Sequence, residues 1–141
     1  MSQNTAKSPH KPAIWRCAVP SPLRRAFDYL PPDGCHGAAK PGARVTVPFG
    51  KRSVTAVILS ITSESSVAPA KLKAATALLD EQPLYTEKQR ALLDWAADYY
   101  QHPLGEVLPL GLSPRERRGQ PERALTETGI RLTARGQGLP D

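Results

Sequence analysis

The chain has 141 residues with 19 Lys and Arg against 13 Asp and Glu, a formal net charge of +6, and 40% hydrophobic residues. That length and composition supply one domain with one modest core. No apolar run reaches the ~18 residues of a membrane helix, Met1 to Lys11 lacks the apolar stretch of a secretory signal, and Cys17 and Cys35 make no disulfide framework, so a reducing, cytoplasmic setting is expected.

Residues 1–12 are polar and read as a disordered leader. Ile14 to Val19 forms a first strand, closed by Pro20, and Pro20-Ser21-Pro22 forces an extended or turning path. Ala26 to Leu30 is a short aromatic segment stopped by Pro31-Pro32-Asp33-Gly34. Arg44 to Val47 alternates with period 2, Pro48 to Arg52 has the composition of a hairpin connection, and Ser53 to Ile61 is the strongest strand pattern. Lys71 to Asp80 is ambiguous: its alanines favour helix, whereas its brevity and proline flanks allow a strand. Thr86-Glu87-Lys88-Gln89 matches a capping box, and Leu92, Leu93, Ala96, Tyr99 and Tyr100 fall on one helical face opposite Asp94 and Asp98, before Pro103 and Gly105 end the helix. Residues 111–123 read as a linker, and Ala124 to Arg135 shows only a weak apolar pattern. The fold expected is mainly β with one C-terminal helix: about five short strands in a small OB-like barrel covering residues 13–110.

Charge is distributed unevenly. Residues 12–73 hold nine bases against three acids, and residues 74–110 hold two bases against six acids. A polyanion would meet the first half, although an uneven solvated surface gives the same counts. Chemistry that needs a phosphate loop is excluded, because no G-x-x-x-x-G-K-[ST] run occurs. The cysteines and histidines are scattered, and adjacent Cys35-His36 is not spaced for chelation. Asp28 and Asp33 have no fixed separation that would make them a hydrolytic pair, so no catalytic residue or metal site is expected.

Three segments converge on nucleic-acid binding. Arg24-Arg25-Ala26-Phe27-Asp28-Tyr29 combines cations, aromatics and one carboxylate; Phe49-Gly50-Lys51-Arg52 puts an aromatic, a glycine and two cations at a hairpin tip; Lys71 and Lys73 add cations nearby. Aromatic faces stack on bases, and Arg and Lys neutralise phosphate. A carboxylate among them repels phosphate but can accept a hydrogen bond from a base edge or sugar hydroxyl. The alternatives are core packing for Phe27 and Phe49, and a turn cap or an ion pair with Arg24 or Arg25 for Asp28.

Pro20 to Pro31 resembles the opening of the bacterial primosomal replication-restart helicases, the PriA family (primosomal protein N′). The resemblance continues through Pro41 to Gly50, Leu72-Lys73-Ala74, Leu79 to Pro83 and Trp95 to Leu108, and so covers roughly residues 14–110 in order. It implies a 3′-DNA-binding domain of OB-like fold that captures the 3′ end of the nascent leading strand at a stalled fork. The terminal-nucleotide pocket then falls on Phe27, Asp28, Tyr29, Gly50 and Lys73, with phosphate contacts expected from Arg24, Arg25, Lys51 and Arg52. The partners implied are DNA with a free 3′-OH, forked DNA, primosome proteins and single-stranded DNA-binding protein, with no membrane; a protein-interaction or non-specific single-strand-binding OB module is the alternative. The resemblance also makes Leu72 to Leu79 a strand and residues 124–141 the truncated start of a winged helix. The family's full-length members add two helicase lobes and a zinc region that use ATP, Mg and Zn; with two cysteines and no phosphate loop, this sequence is expected to carry no cofactor and no helicase activity.

Overall fold

A computed structural model describes residues 13–35 and 39–121; the expected leader (1–12) and winged-helix start (124–141) lie outside the described residues. Among the described residues six strands form one sheet: β1 (Ile14–Ala18), β2 (Phe27–Leu30), β3 (Arg44–Phe49), β4 (Arg52–Thr62), β5 (Lys73–Ala74) and β6 (Ala77–Leu78). Their spatial order is β5-β2-β1-β4-β3-β6, and every neighbouring pair is antiparallel except β2–β5. The sheet curls as an OB-like barrel does.

Closure comes from the segment whose periodicity is ambiguous in the sequence. In place of one continuous strand over Leu72 to Leu79, the chain makes two two-residue strands on opposite edges of the sheet. Ala75 donates to the Leu30 carbonyl on β2 at 2.8 Å, and Thr76 donates to the Thr46 carbonyl on β3, also at 2.8 Å. Consecutive residues thus satisfy both open edges, which would otherwise expose unpaired backbone groups.

The barrel interior is filled by Trp15, Cys17, Tyr29, Val45, Val47, Ala56 and Ile58. On the opposite face of the sheet, Ala18 and Val57 are covered by Tyr85, Leu108 and Leu112. β1 and the middle of β4 (Ala56, Val57 and Ile58) are therefore buried on both faces, which explains why they read as apolar runs rather than clean alternations. Their pairing carries a bulge: Arg16 faces Ser60 while Cys17 faces Ile58, leaving Leu59 as the extra residue.

Among the described residues the expected helix, α1 (Glu87–Tyr99), is joined by two four-residue helices, α2 (Leu104–Val107) and α3 (Pro114–Arg117). The capping box forms, with Thr86 accepting from the Gln89 N–H and the Gln89 side chain accepting from the Thr86 N–H. The buried face of α1 differs in part from the one its sequence predicts. Leu92, Trp95, Tyr99 and Tyr100 are exposed, Trp95 stacks on Tyr99 with centroids 5.0 Å apart, and Ala97 is the helix's buried residue. Of the predicted face, Leu93 packs against the cluster of Tyr85, Leu108 and Leu112 that covers the outer side of the sheet. The fit is close at Gly105, where a β-carbon would collide with the backbone of Val19.

Residues 111–121 hold more order than their linker-like composition implies. Ser113 and Glu116 form a second capping box. Arg44, fully buried on β3, then ties this segment down: it pairs with both Asp80 oxygens at 2.8 and 2.7 Å and donates to the Glu116 and Gln120 carbonyls, each at 2.7 Å. A composition rule for linkers registers the prolines and charges but not a buried guanidinium elsewhere in the chain.

Candidate nucleic-acid interface

β2 and the β3–β4 hairpin face each other across a cleft of about 550 Å³. The hairpin closes in two residues, because Phe49 pairs with Arg52. Gly50 takes φ +62° while Lys51 keeps an ordinary negative φ, the pattern of a type II′ turn, in which the first central position favours glycine. The Tyr29 hydroxyl donates to the Pro48 carbonyl at 3.0 Å and so fixes the hairpin against β2. Burial, with a smaller contribution from Cys17, pushes the Tyr29 hydroxyl up to about 12, so it remains a donor at neutral pH.

Phe27, Asp28, Tyr29, Gly50 and Lys73 all line this cleft, although they come from three separate stretches of chain. Arg25 and Lys71 join them. Phe27 meets Phe49 edge to face at 5.2 Å, and the Arg25 guanidinium lies 4.9 Å from the Phe27 ring centroid. Both phenylalanines are half-buried and also pack against the barrel core, so core packing and an apolar cleft wall coincide. Arg24 lies apart: it donates to the Gln101 side chain at 2.9 Å and lines a neighbouring cleft of about 320 Å³ beside α1. Lys51 and Arg52 are exposed at the hairpin tip, outside both clefts.

Asp28 is an ion-paired residue, and its partner is neither Arg24 nor Arg25. Arg16, directly opposite on β1, holds it: Nε lies 3.0 Å from Oδ1 and Nη2 lies 3.3 Å from Oδ2. The Ser65 hydroxyl donates to Oδ2 at 2.5 Å. Burial pushes the carboxyl up, but Arg16 and Ser65 outweigh it and hold Asp28 below its ordinary value. The Cys17 thiol next to this network is pushed up to about 12 by burial and by the Asp28 charge, so it stays protonated.

Residues 16–113 match the family model of the 3′DNA-binding domain (3′BD) of PriA. The chain belongs to the PriA 3′DNA-binding domain family. It is 39% identical over 124 residues to the Replication restart protein PriA of Haemophilus influenzae, covering 88% of this chain and 17% of that protein. It is 36% identical over 76 residues to that of Bacillus subtilis (54% of this chain, 9% of that protein) and 30% identical over 94 residues to that of Buchnera aphidicola (67% and 13%). The chain thus spans less than a fifth of the length of these relatives, and the region matched is a DNA-binding domain rather than a helicase motor.

As a PriA 3′BD, the chain presents one carboxylate in a cleft otherwise rich in cations: Arg16, Arg25, Lys71 and Lys73. The arrangement can attract a strand of phosphates while offering one fixed acceptor at a defined point. Sequence reasoning missed Arg16 and the Ser65–Val67 loop. Arg16 sits in an apolar strand twelve residues before its partner, and only the β1–β2 register brings the two together. No helix among the described residues is long and apolar enough to cross a membrane.

Proposed function

We propose that the cleft between β2 and the β3–β4 hairpin binds the 3′-terminal nucleotide of a DNA strand, and that the domain serves replication restart by engaging the nascent leading-strand 3′ end at stalled forks. Phe27 and Phe49 supply an apolar wall, Lys71, Lys73 and Arg25 meet the backbone phosphates, and Asp28 accepts from the base edge or sugar hydroxyl of the terminal nucleotide. Arg24, Lys51 and Arg52 lie outward along the strand's path and add contacts that carry no end information. The observation that carries this reading is the meeting of Phe27, Asp28, Tyr29, Gly50 and Lys73 in one cleft. The names of the relatives, Replication restart protein PriA, support the setting of replication restart, in which forked DNA and primosome proteins are the partners we propose.

A free 3′-hydroxyl can donate to Asp28, whereas a 3′-phosphate dianion only accepts and brings like charge to the carboxylate. Equilibrium binding of short single strands with a 3′-OH, with a 3′-phosphate, and of circular strands tests the proposal. Preference for the 3′-OH strand is the expected result. Equal affinity for all three would instead favour a non-specific single-strand-binding module.

A further inference from the structure

The Asp28 carboxylate is hydrogen-bonded at both oxygens before any ligand arrives. Each carboxylate oxygen can accept about two hydrogen bonds. Oδ2 takes one from Arg16 Nη2 and one from Ser65 Oγ; Oδ1 takes one from Arg16 Nε. Among the described residues' hydrogen bonds, one acceptor position, on Oδ1, remains. The direction of the Ser65 bond is fixed, because an ionised carboxylate cannot donate, and the Ser65 oxygen is itself the acceptor of the Val67 N–H at 3.0 Å. That same bond folds residues 65–67 so that Ser66 and Val67 lie along the cleft wall. The Asp28 side chain is 7% exposed and that of Arg16 is 41% exposed, so the cation reaches solvent while the anion it holds is nearly enclosed.

We propose that Arg16 and Ser65 are positioning residues for the cleft: together they lock the Asp28 carboxylate so that a single acceptor on Oδ1 faces the terminal nucleotide. This rests on the 3′-end reading above. The lock fixes the direction of the remaining lone pair and keeps the carboxylate ionised in a nearly closed site, where an unpaired anion would take up a proton. The other groups around Asp28 do not replace Arg16 in this role. Cys17, on β1, is a protonated thiol, Tyr29, on β2, is a protonated phenol, and Arg25, Lys71 and Lys73 line the cleft without hydrogen-bonding to Asp28.

The test combines an NMR titration of the Asp28 side-chain carboxyl in the free domain with 3′-OH strand affinity measured between about pH 5 and 7.5. The wild type is expected to bind evenly across that range. Arg16→Gln is expected to raise the Asp28 titration midpoint and to make 3′-OH binding weaken by about threefold or more as pH falls, because the free domain then holds a proton that the ligand must displace. Arg16→Lys is expected to restore most of the flat profile. Ser65→Ala, on the 63–68 loop and remote from the folding core, is expected to shift both readouts in the same direction by less. An unmoved midpoint in Arg16→Gln would overturn the proposal. So would a loss that is equal at every pH and accompanied by a shallower salt dependence, since that is the signature of direct phosphate neutralisation. A raised midpoint in a domain whose wild type shows no preference for a 3′-OH would confirm the carboxylate lock and overturn the function assigned to it.

Discussion

The Tyr29 hydroxyl and the Pro48 carbonyl, 3.0 Å apart, join the two walls of the cleft. Tyr29 is 5% exposed, and its bond to the half-buried Pro48 holds the hairpin at a set distance from β2. Tyr29→Phe removes this bond and leaves a carbonyl short of a partner. A loss of about 1 kcal/mol, or a fall in Tm of about 4–8 °C, is expected from thermal unfolding, with a weaker affinity for 3′-OH strands.

The same residue sets an alkaline limit. The folded-state Tyr29 hydroxyl titrates at about 12, against about 10 in an unfolded chain. The unfolded chain therefore releases its proton first, and the stability Tyr29 contributes is complete below about pH 10 and is lost as pH rises toward 12. Tyr85 acts in the same direction, because burial raises its hydroxyl as well. Denaturant unfolding at a series of pH values should show stability falling above about pH 10, and less steeply in Tyr29→Phe.

Arg44 belongs to the count of bases that marks the first half as a polyanion surface, but its place is structural. Its guanidinium is fully buried and bonded to Asp80, Glu116 and Gln120. Arg44→Ala leaves Asp80 without its cation and is expected to cost about 3–5 kcal/mol, as breaking a buried pair does. Adding Asp80→Ala should cost less than the sum of the two single variants. Urea unfolding of the four proteins measures both effects.

Much of the fold was legible in the chain. Strand periodicity located β1, β3 and β4, and Thr86 with Gln89 located the start of α1. Local pattern could not show that Ala75 and Thr76 would bond to strands on opposite edges, because that closure depends on how far the whole sheet curls. It also placed the buried face of α1 only in part: Leu93 packs inward, whereas Leu92, Tyr99 and Tyr100 lie outside and Ala97, off the predicted stripe, is buried. For the cleft, the segments carrying Phe27, Gly50 and Lys73 were readable from their composition and family resemblance. Arg16 was not, because a lone cation in an apolar strand acquires meaning only through its cross-strand neighbour.

Gly50 is tied to its turn by backbone conformation, since a β-carbon there would meet nothing within 4 Å. Gly50→Val, forced to φ +62° in a sparsely populated region, should lose about 1–3 kcal/mol and distort the cleft wall, while Gly50→Asn should lose less, because Asn is among the residues such turns accept. Comparing Tm with 3′-OH affinity for the two variants checks this.

Lys51 and Arg52 stand outside the cleft at the hairpin tip. Their joint replacement by alanine should weaken 3′-OH, 3′-phosphate and circular single strands alike and flatten the salt dependence by about 0.7 in slope for each phosphate no longer neutralised. Salt titrations that show the same slope in variant and wild type would remove these two residues from the interface.

Asp28 provides the most direct test of the cleft as a 3′-end site. Affinities for 3′-OH, 3′-phosphate and circular strands should be measured on the wild type and Asp28→Ala, with the Tm of each protein. Loss of a hydrogen bond to a charged acceptor is worth about 1.5–3 kcal/mol, so Asp28→Ala should weaken 3′-OH binding by about ten- to a hundredfold and leave circular strands nearly unaffected. A fall in Tm with all three affinities reduced together, or with the preference for the 3′-OH end intact, would contradict it: Asp28 would then be the structural partner of Arg16 and nothing more.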